Sequence, residues 1–357
     1  MRDIRAAVCR EFGAALQIET LTLAPPGPGA VQVDIEAVAI CHSDITFADG
    51  GWGGDLPAVY GHEAVGRVSA VGDGVANMPV GARVLVTLIR ACGTCPACSG
   101  GRPTQCGDPG AITPLTDASG AGVVAAMNCG AFAEAVTVDA SQVVTIPEDI
   151  APEAACILSC GVVTGLGAAV NTAQVRPGDW CVVIGAGGVG LNAVQGARLA
   201  GAARIVAVDI SQDKLDAARD FGATDGVLAG ADGRQAMLAL GRLADHIFVT
   251  VGAGSVIDGA LDWCAPHGTA YLVGMPHVGT VGHFDPVSAS YYGQGLRGTR
   301  MGDVVLRRDI PWLLDLHAQG RLKLEELVSG TYPLEAINDA IAATRAGQGR
   351  RNVVVMA

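Results

Sequence analysis

Three glycines constrain the fold of this chain more than any other residues. Gly185, Gly187 and Gly190 lie between an apolar run, Trp180–Ile184, and a helix-compatible run that reaches Ala200. Such a glycine pattern means little alone, but between a strand and a helix each glycine has a task. The first permits a tight turn. The second lets backbone approach a pyrophosphate, and the third permits close packing of helix on sheet. The helix N-terminus then offers free N–H groups and partial positive charge to the phosphates. Around this point the chain alternates. Residues 204–208 are predicted as strand, 213–221 as helix, 246–251 as strand, 255–264 as helix and 269–273 as strand. Alternation with apolar strands predicts a parallel, doubly wound α/β sheet. Asp209 falls nineteen residues past Gly190, at the end of the second strand. A carboxylate there can accept from the ribose hydroxyls and would repel a 2′-phosphate, so NAD is expected over NADP.

Four cysteines, Cys92, Cys95, Cys98 and Cys106, fall inside fifteen residues among glycines and prolines. Four thiolates on one short loop can close a tetrahedron around a Zn²⁺, with Zn–S near ~2.3 Å. Such a site has no open position, so it holds a loop and does no chemistry. Disulfides are the competing reading, but three cysteines at three-residue spacing suit a metal better. Cys41, His62 and Cys160 are candidates for a second zinc site, a Cys₂His set with its fourth position open. Taken one at a time they carry little weight, since a lone buried cysteine is usually packing. Cys9, Cys129, Cys156, Cys181 and Cys264 are read as packing.

The order Cys41-His42-Ser43-Asp44, Gly61-His62-Glu63, the four-cysteine loop, Cys160 and the glycine motif resembles the zinc-dependent medium-chain alcohol dehydrogenases. The similarity runs over nearly the whole chain. The resemblance implies a GroES-like β-barrel catalytic domain, discontinuous over 1–160 and 299–357, around a Rossmann cofactor domain at 161–298. It implies two Zn²⁺ per chain, NAD, and a small-molecule alcohol, aldehyde or ketone. Ser43 matches the family's first proton-relay residue, and Asp44 the partner of the ligand imidazole. Glu63 matches a carboxylate near the zinc. His42 and Arg351 match pyrophosphate contacts. Gly188, Val189, Thr164, Val273 and Met275 fall at cofactor positions, and Lys214 at the adenosine ribose. Trp52, Leu88, Phe132 and Met275 would line the substrate pocket. Where many relatives end the relay at a histidine, this chain has Thr46, which cannot act as a base near pH 7. Leu88 and Ser43 are smaller than the residues many relatives carry, which favours medium to bulky primary or secondary alcohols. The long 106–130 segment resembles that of dimeric relatives, with tetramers the alternative, and the subunit-pairing edge strand would lie within 263–275.

The remaining sequence agrees. The region before the glycine motif reads as β-rich. Val31, Val33, Ile35 and Ala37 alternate with polar residues as in a half-buried strand, and strands are expected at 66–71, Arg83–Thr87 and 133–138. Helices are expected at 310–319 and 334–345. A net charge of −12 argues against nucleic acid or an anionic membrane as partner. No apolar run reaches the ~18 residues of a membrane helix, and no apolar leader follows Met1, so a cytoplasmic location is expected. Two readings compete. A thiol-adduct formaldehyde dehydrogenase needs a basic cluster near the pocket, and none is evident. A non-catalytic nucleotide-binding or structural relative would be marked by loss of Cys41, His62 or Cys160.

Overall fold

The structure is a computed structural model that describes residues 1–112, 114–230 and 232–356. The chain forms two compact units, Met1–Cys160 with Val305–Ala357, and Gly161–Val304. The second crossing falls at 304/305, six residues beyond the expected 298/299.

The first unit is built on strands β1 (Arg2–Cys9), β2 (Gln17–Leu23), β3 (Ala30–Ala39), β4 (Ala58–Val59), β5 (Glu63–Val71), β6 (Arg83–Thr87), β7 (Leu115–Thr116), β8 (Gly122–Ala125), β9 (Ala135–Asp139) and β10 (Val143–Thr145). Strands β1-β2-β7-β8-β4 close into a small barrel. The others form a sheet in the order β10-β6-β5-β3, continued by β18 (Arg351–Val355) and β17 (Val328–Pro333) from the returning chain, with β9 also paired to β3. This central placement changes the expected burial of β3. Gln32 is buried rather than solvated, and its amide nitrogen donates to the Ala24 carbonyl and the Thr137 hydroxyl, each at 3.3 Å. Both faces of the strand are covered, so period-two alternation understates its burial. A short helix, α1 (His42–Ala48), follows β3 directly.

The second unit carries six parallel strands: β11 (Trp180–Ile184), β12 (Arg204–Asp209), β13 (Asp225–Leu228), β14 (Ala244–Val249), β15 (Cys264–Leu272) and β16 (Gly295–Gly298). Their order is β13-β12-β11-β14-β15-β16, so the chain reverses direction of travel beside β11, where open α/β sheets bind ligands. Helices α2 (Gly161–Gly167), α3 (Gly188–Leu199) and α4 (Gln212–Phe221) belong to this unit. The helix expected at 255–264 is shorter, Gly254–Asp258, because Gly259 ends it and Cys264 already opens β15. Strand β15 lies between β14 and β16. It is therefore not the free edge that the 263–275 expectation required; the edges are β13 and β16. Among the described residues no single helix is long and apolar enough to cross a membrane.

Candidate metal and cofactor sites

Cys41 ends the extended chain after β3 and caps α1, with φ −105 and ψ 149. Asp44, in the first turn of that helix, folds its carboxylate back onto the Cys41 N–H at 3.0 Å. Helix starts favour this because their first N–H groups lack intrahelical partners. The same carboxylate accepts from the Gly61 N–H at 2.9 Å and meets His62 Nδ1 at 3.0 Å. One buried residue thus joins the two segments that bring Cys41 and His62 together. With Nδ1 donating to Asp44, the other ring nitrogen, Nε2, is left with its lone pair for a metal.

Cys160 arrives from a different element, a 3₁₀ turn at Ile157–Ser159. Its neighbour Ser159 is tied to the sheet twice. The Ser159 carbonyl accepts from the Thr87 hydroxyl at 2.8 Å, and its own hydroxyl donates to the Ala64 carbonyl at 3.1 Å. Neither Thr87 nor Ser159 belongs to a recognisable motif, so sequence reasoning missed both. The ligand atoms of Cys41, His62, Glu63 and Cys160 all lie within 4.8 Å of one another. Ser43 Oγ sits 3.0 Å from Cys41 Sγ and 3.5 Å from His62 Nε2. The donor set of two sulfurs and one imidazole suits zinc.

The electrostatics of this cluster follow from burial and proximity. The hydrogen bond from Cys160 holds the Cys41 thiol well below its ordinary range, while the same contact and burial push Cys160 well above it. The two sulfurs share a proton that a metal would displace. Burial opposes protonation of His62, but the Asp44 carboxylate and the Cys41 sulfur outweigh it and raise the imidazole. Burial pushes Glu63 up to about 8 against the pull of the Arg351 guanidinium.

Arg351 has a partner that the sequence did not announce. Its side chain is 6% exposed, and its Nη1 donates to Glu63 Oε1 at 3.2 Å. That carboxylate belongs to the candidate metal cluster, while the sequence match makes Arg351 a pyrophosphate contact. Its Nε and Nη2 are buried without a hydrogen-bond partner. Phe132 corrects an expectation. It is 0% exposed, in the core of the barrel unit, with its N–H bonded to the Tyr60 carbonyl at 2.8 Å. A side chain with no accessible surface does not line a pocket. Leu88 is half-buried against that core, and Trp52 meets Phe47 edge-on with ring centroids 5.0 Å apart. Thr46 spends its hydroxyl on the His42 carbonyl at 2.9 Å, and His42 itself is exposed.

The second cluster is the four-cysteine loop. Cys92–Cys98 and Cys95–Cys106 sulfur separations are both 4.0 Å. Sulfurs tetrahedral about zinc at ~2.3 Å would stand about 3.8 Å apart, so the loop fits the ion. Backbone N–H groups of Cys92, Cys95 and Cys98 point at the sulfurs of Cys106, Cys92 and Cys95, at 3.3, 3.3 and 3.5 Å. The N–H groups of Cys95 and Thr94 bring the Cys92 thiol down to about 6, favouring the thiolate a metal needs.

In the second unit, Gly185 has φ +99, a left-handed conformation that side chains avoid. A Cβ on Gly190 would lie 1.8 Å from the Gly185 carbonyl oxygen, so α3 starts in direct contact with the turn. Gly187 has nothing within 4 Å on its Cβ side, which leaves open space for a pyrophosphate. Asp209 accepts from the Ala186 N–H at 2.8 Å and the Ser211 N–H at 3.1 Å. Each oxygen is thus already engaged once and keeps one lone pair for a ribose hydroxyl. Lys214 lies in the first turn of α4, partly exposed. Thr164 is buried on α2 and donates to Met301 Sδ at 3.5 Å. Val189 is half-buried at the start of α3. Val273 is buried, while Met275 is 65% exposed.

Known proteins resemble this chain in sequence and fold. Residues 27–148 match the alcohol dehydrogenase GroES-like domain, and residues 188–319 match the zinc-binding dehydrogenase domain. The chain is 35% identical to the NDMA-dependent alcohol dehydrogenase of Amycolatopsis methanolica, over 98% of each. A solved alcohol dehydrogenase zinc-binding domain protein from Burkholderia ambifaria superimposes with a TM-score of 0.94 at 34% identity, covering 100% of this chain and 99% of that one. Benzyl alcohol dehydrogenase from Acinetobacter calcoaceticus gives a TM-score of 0.94 at 29% identity, with 100% of both chains covered.

Proposed function

Because this chain belongs to the zinc-dependent medium-chain alcohol dehydrogenase family, we propose that it interconverts an alcohol and its aldehyde or ketone, with hydride transfer to and from NAD. The observation that carries this reading is the buried set of Cys41, His62 and Cys160 with the Ser43 hydroxyl beside it. Cys41, His62 and Cys160 would hold one zinc, and Cys92, Cys95, Cys98 and Cys106 a second. Zinc in the first set would supply a Lewis acid that lowers the pKa of the substrate hydroxyl. NAD on the glycine turn, with Asp209 and Lys214 at its ribose, would accept the hydride.

The chain's own part is to orient and to move a proton. Asp44 fixes the His62 tautomer. Ser43 Oγ accepts the substrate hydroxyl proton and passes its own onward. Thr46 offers no base, so Ser43 would hand the proton on to solvent, with a bound cofactor's ribose hydroxyls as a further acceptor. Glu63, held by Arg351, is a carboxylate within reach of the metal cluster. By the family resemblance, His42 and Arg351 would be cationic groups for a pyrophosphate. Leu88 and Trp52 would border the substrate. The small Ser43 and Leu88 favour medium to bulky alcohols, including benzylic ones such as that named for the Acinetobacter relative. The protein would act as a homodimer.

The deciding experiment is NAD reduction by the purified, zinc-loaded protein against primary, allylic, benzylic and secondary alcohols. Turnover of benzylic or secondary alcohols above ethanol is expected. Turnover confined to formaldehyde with a thiol would move the assignment to the thiol-adduct reaction. No turnover of any of them would refute the reading.

A further inference from the structure

Three consecutive residues, Met301, Gly302 and Asp303, have φ of 53, 61 and 49. Left-handed backbone is costly for any residue with a side chain, and two of these three have one. Such strain persists only where the surroundings over-determine it. Most of the surroundings here belong to one element. Helix α2 continues as a π-helical segment, Ala168–Thr172, and the turn is fastened to that segment. The Thr172 hydroxyl donates to Asp303 Oδ2 at 2.8 Å and so accepts from the Thr299 hydroxyl at 2.7 Å. Asn171 Nδ2 donates to the Gly302 carbonyl at 3.3 Å. Arg297 Nη1 donates to the Thr172 carbonyl at 3.2 Å.

Backbone packing completes the lock. A Cβ on Gly302 would lie 2.4 Å from the Val163 carbonyl oxygen and 2.8 Å from that of Thr164. On another side of α2, a Cβ on Gly165 would lie 2.1 Å from the Val189 carbonyl oxygen of α3. Helix α2 is thus held between the helix that follows the glycine turn and the left-handed turn. It carries Thr164, whose hydroxyl donates to the sulfur of Met301, the first residue of the turn. Asp303 Oδ2 also accepts from Arg297 Nη2 at 3.5 Å, while its Oδ1 is buried without a hydrogen-bond partner.

We infer that the Asp303–Thr172 clasp is a positioning device for the nicotinamide end of the cofactor, with Asp303 holding the turn against α2 so that Thr164 is fixed where the ring must lie. This rests on the reading of the second unit as the NAD site. Loss of the clasp leaves the glycine turn and Asp209 untouched, so the adenosine half should bind as before while the ring loses its orientation. Misplacing a reacting group by about 1 Å can cost ~100-fold in rate.

The test uses Asp303→Ala, Asp303→Asn and Thr172→Val in the zinc-loaded protein. It reads kcat with its primary deuterium isotope effect, KM for NAD, melting temperature, and the affinity for ADP-ribose, which lacks the nicotinamide. Asp303→Ala and Thr172→Val should lower kcat about 10- to 100-fold and enlarge the isotope effect as hydride transfer becomes limiting. ADP-ribose affinity should stay within about twofold. Asp303→Asn, whose amide oxygen can still accept from Thr172, should recover most of the rate. Thr172→Val covers the case in which Asp303→Ala fails to fold. A lowered melting temperature with kcat intact, or equal loss of NAD and ADP-ribose, would overturn the inference. Absence of NAD reduction by the unmutated protein would instead overturn the functional reading, and this inference with it.

Discussion

Ser43 and Asp44 are adjacent in the chain, yet their substitutions should fail in different ways. Ser43 Oγ stands beside Cys41 Sγ and, among the described residues, bonds only within the candidate cluster. Ser43→Ala should therefore leave folding and NAD affinity unchanged and lower kcat for alcohol oxidation by about 10²–10⁴, the usual share of positioned proton transfer. Near-native kcat with a full isotope effect would remove Ser43 from the relay. Asp44 is 1% exposed and satisfies Cys41, Gly61 and His62 together. Asp44→Ala should weaken zinc retention as well as activity, because it orphans two buried N–H groups and frees the ring. Zinc content per chain after dialysis measures this. Asp209 is the third residue with a distinct signature. Its carboxylate should give NAD roughly a 100-fold advantage over NADP in kcat/KM through like-charge repulsion and lost hydrogen bonds. Asp209→Ala should narrow that ratio. It should also cost stability, since the same carboxylate holds the Ala186 and Ser211 N–H groups. Equal use of both cofactors by the native protein would sink the assignment.

At the scale of elements, the four-cysteine loop lends itself to a pH experiment. The Cys92 thiol, at about 6, lies below the ordinary cysteine value of about 8.5. A depressed acid contributes stability that is complete above the unfolded value and lost as pH falls through the folded one. Protons compete with a metal for all four thiolates, and burial pushes Cys98 up while Cys92 is held down, so zinc should stay bound at neutral pH and be released on acidification, visible as zinc captured by a chromophoric chelator. Cys95→Ser should lower the melting temperature and remove one zinc while sparing the other. The same loop shows why some elements were legible in the sequence. Its ligands are local, so their spacing alone carries the message. The glycine turn is equally local, as are β6 and β11, whose apolar runs end at polar or glycine residues. What spacing cannot convey is tertiary. Nothing in the sequence announces that Arg351 reaches back 288 positions to Glu63, or that Thr87 and Ser159 fasten the Cys160 segment. Phe132 looked like a pocket wall because a family position was carried over without its surroundings. Helix α2 escaped notice because its glycines, poor helix formers in isolation, are required by the backbones packed on both sides of it.

At the scale of the whole molecule, one of the two edges of the parallel sheet stands out. Among the described residues, strand β16 pairs only with β15, and Leu296 on it is exposed. The segment leading into it exposes Val278, Val281, Phe284, Val287 and Tyr291. An open edge beside exposed apolar side chains invites pairing with another chain, and proteins that remain monomeric usually guard such edges with charge or proline. Here the guard is a single Arg297. A second copy can satisfy both features through one two-fold axis, on which β16 meets β16 antiparallel and the sheet runs through both subunits. This moves the pairing strand from the expected 263–275 to Gly295–Gly298, the one of the two open edges that lies beside the exposed apolar segment. Light scattering should then give twice the 36.0 kDa of one chain. Leu296→Glu should shift the protein to monomers by setting like charges face to face across the axis, while its zinc content stays at the native value. A native mass of one chain would refute the edge pairing. A mass of four chains with Leu296→Glu falling to a smaller assembly would keep the pairing and add a second interface to it.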